Sequence, residues 1–240
     1  LPDDGPTGGF SASLADGSVN VATSNTGVRA ESFVEGSGII RASALNVLVT
    51  GTILSTAESR TPSFTITGVK LAYNKAVANA DARLLAYIGI TGPDSLIDVG
   101  ALSVEAISAS SRAVATVGAS SRSTSISLVG GGINSAASHS SVTATAKLTG
   151  DGTDNVRAGT IDIRADVKSY STARAQAAFG VSIATRGNLE ALADTLNNVS
   201  AGIEKTNVTA TGNIAVNAKD DTQAMAYGQS PGSLTAVNSS

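Results

Sequence analysis

The chain has 240 residues, 42% of them hydrophobic but only 3% aromatic, with 16 basic and 19 acidic residues and a formal charge of −3. That balance leaves counterion-release binding to nucleic acid little to work with, and the absence of cysteine excludes disulfides and thiolate chemistry. No apolar run reaches the ~18 residues that a membrane-spanning helix needs, and a core short of Phe, Tyr and Trp must be filled with Ala, Val, Ile and Leu, which suits a thin repetitive stack better than a thick globule.

The N-terminal stretch Leu1-Pro2-Asp3-Asp4-Gly5-Pro6 has neither the basic nor the apolar region of a secretory signal. Residues 1–29 are therefore expected to be a partial N-terminal coil or linker, and the chain a segment of something longer. From residue 30 to 230 one pattern recurs. Four strings are versions of one another: Ala44-Leu45-Asn46-Val47-Leu48-Val49, Ala101-Leu102-Ser103-Val104-Glu105-Ala106, Thr160-Ile161-Asp162-Ile163-Arg164-Ala165 and Asn213-Ile214-Ala215-Val216-Asn217-Ala218. Their first branched residues, Leu45, Leu102, Ile161 and Ile214, stand 57, 59 and 53 residues apart. Small residues follow each string at Ala57, at Ala113 and Ala115, at Ala173, Ala175 and Ala177, and at Ala224 and Ala226. An alanine-to-aliphatic step precedes the later strings, as in Ala86-Tyr87-Ile88, Ala146-Lys147-Leu148 and Ala201-Gly202-Ile203. Landmarks in fixed order at a degenerate period mark a repeat architecture.

Within each unit the apolar period is two. Leu102, Val104 and Ala106 alternate with Ser103 and Glu105, Ile161, Ile163 and Ala165 with Asp162, Arg164 and Asp166, and Val142, Ala144, Ala146 and Leu148 with Thr143, Thr145 and Lys147. This is the pattern of half-buried strands. The alanine-rich stretch from Lys75 to Tyr87 also suits a helix, but its alternation favours a strand. Gly36-Ser37-Gly38, Thr91-Gly92-Pro93-Asp94, Gly130-Gly131-Gly132, Gly150 to Asp154 and Thr211-Gly212-Asn213 read as turns. Leu189, Leu192 and Leu196 behind Asn188 have helical spacing, so a short helix near 188–197 is expected to lie on the stack. The predicted fold is an all-β parallel solenoid, or β-helix, of about four degenerate repeats of 53–59 residues. A unit of that length is expected to hold two or three coils, and residues 231–240 a truncated or flexible C-terminal segment.

Few residues offer chemistry. His139, the only histidine, has no second imidazole or thiolate to share a zinc ion and reads as a surface side chain. The triple glycine at 130–132 lacks the Lys-Ser or Lys-Thr of a phosphate loop and reads as a turn or a place where coils pack closely. Asp151, Asp154 and Asn155, on a glycine-rich turn, are the one candidate metal site, with calcium as the ion because it prefers hard oxygen donors. Their spacing is not that of an EF-hand, and the bland reading is an Asx-type turn. The carboxylate pairs Glu31 and Glu35, Asp162 and Asp166, Glu190 and Asp194, and Asp220 and Asp221 read as solubilising groups rather than acid/base pairs. Thr-x-Thr pairs such as Thr65-Ile66-Thr67 share no repeat phase, which argues against a flat threonine lattice. No catalytic residue and no cofactor is assigned.

The anchor strings, typified by Gly212-Asn213-Ile214-Ala215-Val216-Asn217-Ala218, followed by a polar step and an Ala-x-Ala run, resemble the repeat regions of large secreted bacterial filamentous adhesins of the filamentous-haemagglutinin-like and leukotoxin-type families. The likeness covers most of residues 30–230. It implies an extracellular, cell-surface stalk or fibre without enzymatic activity, whose partners are further repeats, other copies of itself or a host surface ligand. The competing expectation is a glycan-binding or glycan-cleaving β-helix, since many parallel β-helices process polysaccharides.

Overall fold

The computed structural model describes residues 10–61, 64–119, 124–176, 179–229 and 233–238. Among the described residues ten strands follow one another: β1 (Phe10–Gly36), β2 (Ile39–Thr61), β3 (Phe64–Ile90), β4 (Leu96–Ala119), β5 (Thr124–Thr149), β6 (Asn155–Gln176), β7 (Phe179–Glu204), β8 (Asn207–Ala210), β9 (Ile214–Gln229) and β10 (Ser233–Asn238). They form two parallel sheets, one in the order β1-β3-β5-β7-β10 and the other β2-β4-β6, with β8 and β9 end to end along the far edge of β6. The chain thus alternates between two facing sheets and climbs one rung per circuit, which is a parallel β-solenoid. Strand β1 runs unbroken through residue 29, and β10 pairs with β7 from Ser233 onto Gly180.

The register explains the sequence repeat. Leu45 pairs with Leu102, Leu102 with Ile161, and Ile161 with Ile214, so the four anchor strings are one column of the second sheet. One repeat is consequently one coil, not the two or three expected. Each coil consists of two very long strands; β3 alone has 27 residues, roughly 90 Å at the usual rise. The expected turn at Gly130–Gly132 lies inside β5. The expected helix near 188–197 is strand β7, which pairs with β5 from Ile133↔Asn188 through Val142↔Asn197. Leu192 and Leu196 are exposed on its outer face while Leu189 packs inward. The period-two ladder and its hydrogen bonds outweigh a local leucine spacing that never reaches helical nucleation length.

Inward positions form columns of small residues. Ala76, Ala78, Ala80, Ala136, Ala113, Ala115, Ala173 and Ala175 are fully buried, and the larger Leu84, Ile88, Leu102, Leu148 and Ile161 fill the end nearer the corners described below. Where alanines face each other the sheets approach closely enough for serines to bridge them. Ser140 Oγ lies 2.9 Å from Ser111 Oγ and accepts from Ser169 Oγ at 2.7 Å, and Ser171 donates to Ser138 O at 2.8 Å. These buried serine hydroxyls are tolerated because each finds a partner in the opposite sheet. One ladder of amides runs along the stack: Asn20 Nδ2 donates to Asn74 Oδ1 at 2.9 Å, Asn74 Nδ2 to Asn134 Oδ1 at 2.8 Å, and Asn134 Nδ2 to Gln176 O at 3.2 Å.

Candidate functional site

The corner between the sheets holds the residues that sequence reasoning offered as a metal site. At each circuit the chain passes from the first sheet to the second through Ser37 and Gly38, Thr91 to Ser95, Gly150 to Asp154, and Lys205 and Thr206. Gly38, Ser95, Asp154 and Thr206 each stand just before a strand of the second sheet, so they stack as a column. Ser95 Oγ accepts from Gly38 N at 3.2 Å and donates to Thr91 O at 2.5 Å. One coil further, the buried Asp154 carboxylate accepts from Asp151 N at 2.9 Å, from Gly152 N at 3.2 Å and from the Thr206 hydroxyl. Gly92, at φ 101°, supplies the left-handed bend of the turn before Ser95.

Asp151 ties the same corner from outside. Its carboxylate accepts from Gly92 N of the preceding coil at 2.7 Å and from Thr153 N and Oγ1 at 2.8 and 2.6 Å. These hydrogen bonds, the Thr153 hydroxyl foremost, hold its carboxyl down at about 2. Asn155 opens β6, and its backbone N donates to Ser95 O at 3.0 Å. The structure therefore brings Asp151, Asp154 and Asn155 into one corner, but the oxygens of both aspartates are met by N–H and O–H donors, which is the environment of a turn clasp. Among the described residues no group of three or more His, Cys, Asp or Glu is placed to hold a metal ion.

Several of the remaining titratable groups are paired, some along a ladder and some two residues apart in one strand. His139 Nδ1 lies 2.7 Å from Asp194 Oδ1, with the imidazole 35% exposed. Both stand in the outward column Asn25, Asn79, His139, Asp194, and Asn79 donates to Asn25 at 2.7 Å. The buried serines beside this histidine, Ser138 and Ser140, point to the other side of the sheet, so the Asp-His pair has no adjacent nucleophile from them. Glu31 is bridged by Arg29, Glu204 by Lys147, and Asp166 by Arg164 at 2.5 Å. The Asp166 partner raises the Arg164 guanidinium above its ordinary value, and burial pushes the Lys70 ammonium down against the opposing pull of Asp16. Glu190 accepts from Ser135, and Asp220 from Asn197. At least one carboxylate of each of the four pairs read from sequence thus has a partner outside the pair. Phe33 and Tyr87 stack on the outer face of the first sheet, with centroids 5.2 Å apart and planes 9° from parallel, and the Tyr87 hydroxyl donates to Glu35, which raises its pKa.

A feature that sequence reasoning passed over is the column Ser43, Gly100, Gly159, Gly212. A Cβ on Gly100 would stand 2.6 Å from Ser43 O, one on Gly212 2.8 Å from Gly159 O, and one on Gly159 closer still to Gly100 O. Each coil's backbone presses here on the carbonyl of the coil before it, and only glycine permits that approach. The signal was present in the sequence: a glycine stands two residues before Leu102, Ile161 and Ile214. Comparison with protein-family models, curated proteins and solved structures gave no match.

Proposed function

We propose that this chain is a non-catalytic structural repeat segment of an extracellular bacterial surface fibre or adhesin, in which stacked β-coils build and project a rod. The observation that supports this most directly is the register. Like residues of successive coils sit on one another in columns through four circuits, and side-chain contacts such as Asp151 to Gly92, Asn79 to Asn25 and Lys147 to Glu204 join one coil to the next. Such a stack transmits load along hydrogen-bonded rungs and extends by repeating its unit. Brief protease treatment of intact cells making the full-length protein should release fragments of this region, because a surface fibre is accessible from outside. Protection of the region until the cells are lysed would reject the reading.

A second reading, glycan binding, is favoured by the exposed Phe33–Tyr87 stack beside Glu35, since flat rings and adjacent carboxylates are what sugars contact. A glycan array and a reducing-sugar assay on the purified chain separate the two. Binding lost on Tyr87→Ala would support the glycan reading, and an empty array with no released sugar leaves the rod.

A further inference from the structure

The outer face of the first sheet carries an apolar patch, and we propose that a second copy of this chain packs on it face to face, joining two rods side by side. The patch centres on β3 and β5, which have ladder neighbours on both sides. A further coil at either end would lengthen this face without covering it. The proposal rests on the rod reading above and adds a lateral partner to it.

A change of phase in the alternation places the patch. Thr67 and Ser127 are buried, and further along the same strands Asn74, Ala76 and Ala136 are buried on the opposite parity. Between them the register steps from Thr67↔Ser127 to Val69↔Val129. Leu128 and Val129, consecutive in the chain, are therefore both exposed, as neighbours are at a bulge. Asp16 and Lys70 take inward-side positions, so the outward positions from Gly68 to Tyr73 and from Leu128 to Ile133 hold no charge. Val69, Leu71, Leu128, Val129 and Ile133 are between 40% and 60% exposed although a rung flanks each on both sides. The outer face of the second sheet differs: its exposed Leu48 and Leu54 stand singly, paired in register with Glu105 and Arg112. A contiguous apolar patch confined to one face is surface that association buries.

Shape and charge identify the occupant. Turning a second copy by half a revolution about an axis along the strands, midway between β3 and β5, lays β3 of each copy on β5 of the other and keeps every column. Leu71 then stands over Gly131 of the second copy, Val69 over Val129, and Tyr73 over Ile133, since these are register pairs within one copy. Large over small and medium over medium is the pairing that lets two sheets close to ~10 Å. Just outside the patch Lys75, Ser135 and Glu190 share one column, and Ser135 donates to Glu190 at 3.2 Å. The rotation sets Lys75 over Ser135 of the second copy, one strand spacing of ~4.8 Å from the column position of its Glu190. Two opposite-charge pairs thus close the rim. Farther along, Asn79 meets His139 and Asp81 meets Ser141, so no like charges face each other there. From Ile66 to Asn79 across four strands the face measures ~46 Å by ~19 Å, and pairing buries roughly 1,700 Å² in total, a standard-sized interface. A lipid surface would accept the apolar side chains but has no counterpart to the glycine notch or to the Lys75 and Glu190 complement.

The test is sedimentation velocity on this chain, on Leu71→Ser, Lys75→Glu and Glu190→Lys, and on Leu54→Ser as the control from the other sheet, with flotation on phosphatidylcholine vesicles beside it. Face-to-face pairing predicts concentration-dependent dimers for the parent and for Leu54→Ser, and association weaker by roughly tenfold or more for each of the other three. An equimolar mixture of Lys75→Glu and Glu190→Lys should return to within about threefold of the parent's affinity, because each rim pair of the mixed dimer again joins opposite charges. That exchange alters no apolar residue, so it reads the geometry even where Leu71→Ser loses its sheet circular dichroism. Monomers at every concentration overturn the proposal, as does a folded Leu71→Ser that associates like the parent or a mixture no tighter than its components. Vesicle binding by a monomer, abolished by Leu71→Ser, also overturns it and gives the face to lipid. None of these outcomes bears on protease release from cells, so lateral pairing can fail while the rod reading stands.

Discussion

Replacing Gly100 with alanine tests whether the close approach of coils is what the glycine column provides. The new methyl would stand 2.6 Å from Ser43 O and 3.6 Å from its carbonyl carbon. A carbon approaching a carbonyl oxygen settles at ~3.3 Å or more, so the rungs must part locally by about 0.7 Å. Ladder bonds near 2.9 Å would then stretch beyond hydrogen-bonding range on either side of the site. Two such bonds at about 1 kcal/mol each, with strain of about 1–3 kcal/mol, set against a gain of about 0.4–1 kcal/mol from a stiffer unfolded chain, leave a net loss of roughly 2–4 kcal/mol. Gly27→Ala is the control, because a Cβ there meets nothing within 4 Å and the backbone is not left-handed. Urea unfolding should show the Gly100→Ala midpoint well below the parent, with faster amide exchange in β2 and β4, and the Gly27→Ala midpoint unchanged or slightly raised. If the two variants unfold within about 0.5 kcal/mol of each other, well inside the expected loss, the packing argument fails.

Ser140→Ala strands the hydroxyls of Ser111 and Ser169 in the core and should cost about 1–3 kcal/mol, whereas the triple replacement of Ser111, Ser140 and Ser169 by alanine should cost less than the single losses summed, as read by a mutant cycle in urea. Asp154→Ala removes the acceptor for two backbone N–H groups and the Thr206 hydroxyl, and a loss of about 2–4 kcal/mol is expected; an unchanged thermal midpoint would show that the corner does not depend on it. Asp151 has its folded pKa depressed to about 2 from an ordinary 3.8, so its contribution is complete above about pH 4 and disappears as pH falls through about 2. Asp151→Asn should therefore differ from the parent in thermal midpoint at pH 5 and converge on it only as pH falls below about 2. Millimolar calcium should leave the midpoint where it is, because the aspartate oxygens already have donors, and a rise of several degrees that Asp151→Asn abolishes would restore the metal reading.

The spacings of 57, 59 and 53 residues between the anchor strings are the coil-to-coil offsets of the second sheet. In-register stacking puts like side chains on like, and the need to fill each inward column alike writes the period into the chain. The alternation of Leu102, Val104 and Ala106 with Ser103 and Glu105 likewise fixed which face is buried. All-β class, parallel stacking and an aliphatic core were thus determined by the amino-acid sequence alone.

What the tertiary structure decided is where strands stop and which polar groups meet. Nothing local tells a strand of 27 residues from several short ones, so Gly130–Gly132 reads as a turn although β5 runs through it. Leu189, Leu192 and Leu196 fit a helix until β5 supplies a ladder for them. Asp151 ties its turn to the preceding coil only because Gly92, 59 residues earlier, is brought 2.7 Å from its carboxylate, and Gly159 has to be glycine only because Gly100 O presses on it. The last three depend on a neighbour one coil away: the repeat gives the spacing of the coils, but only the closed circuit of the solenoid shows which groups then touch.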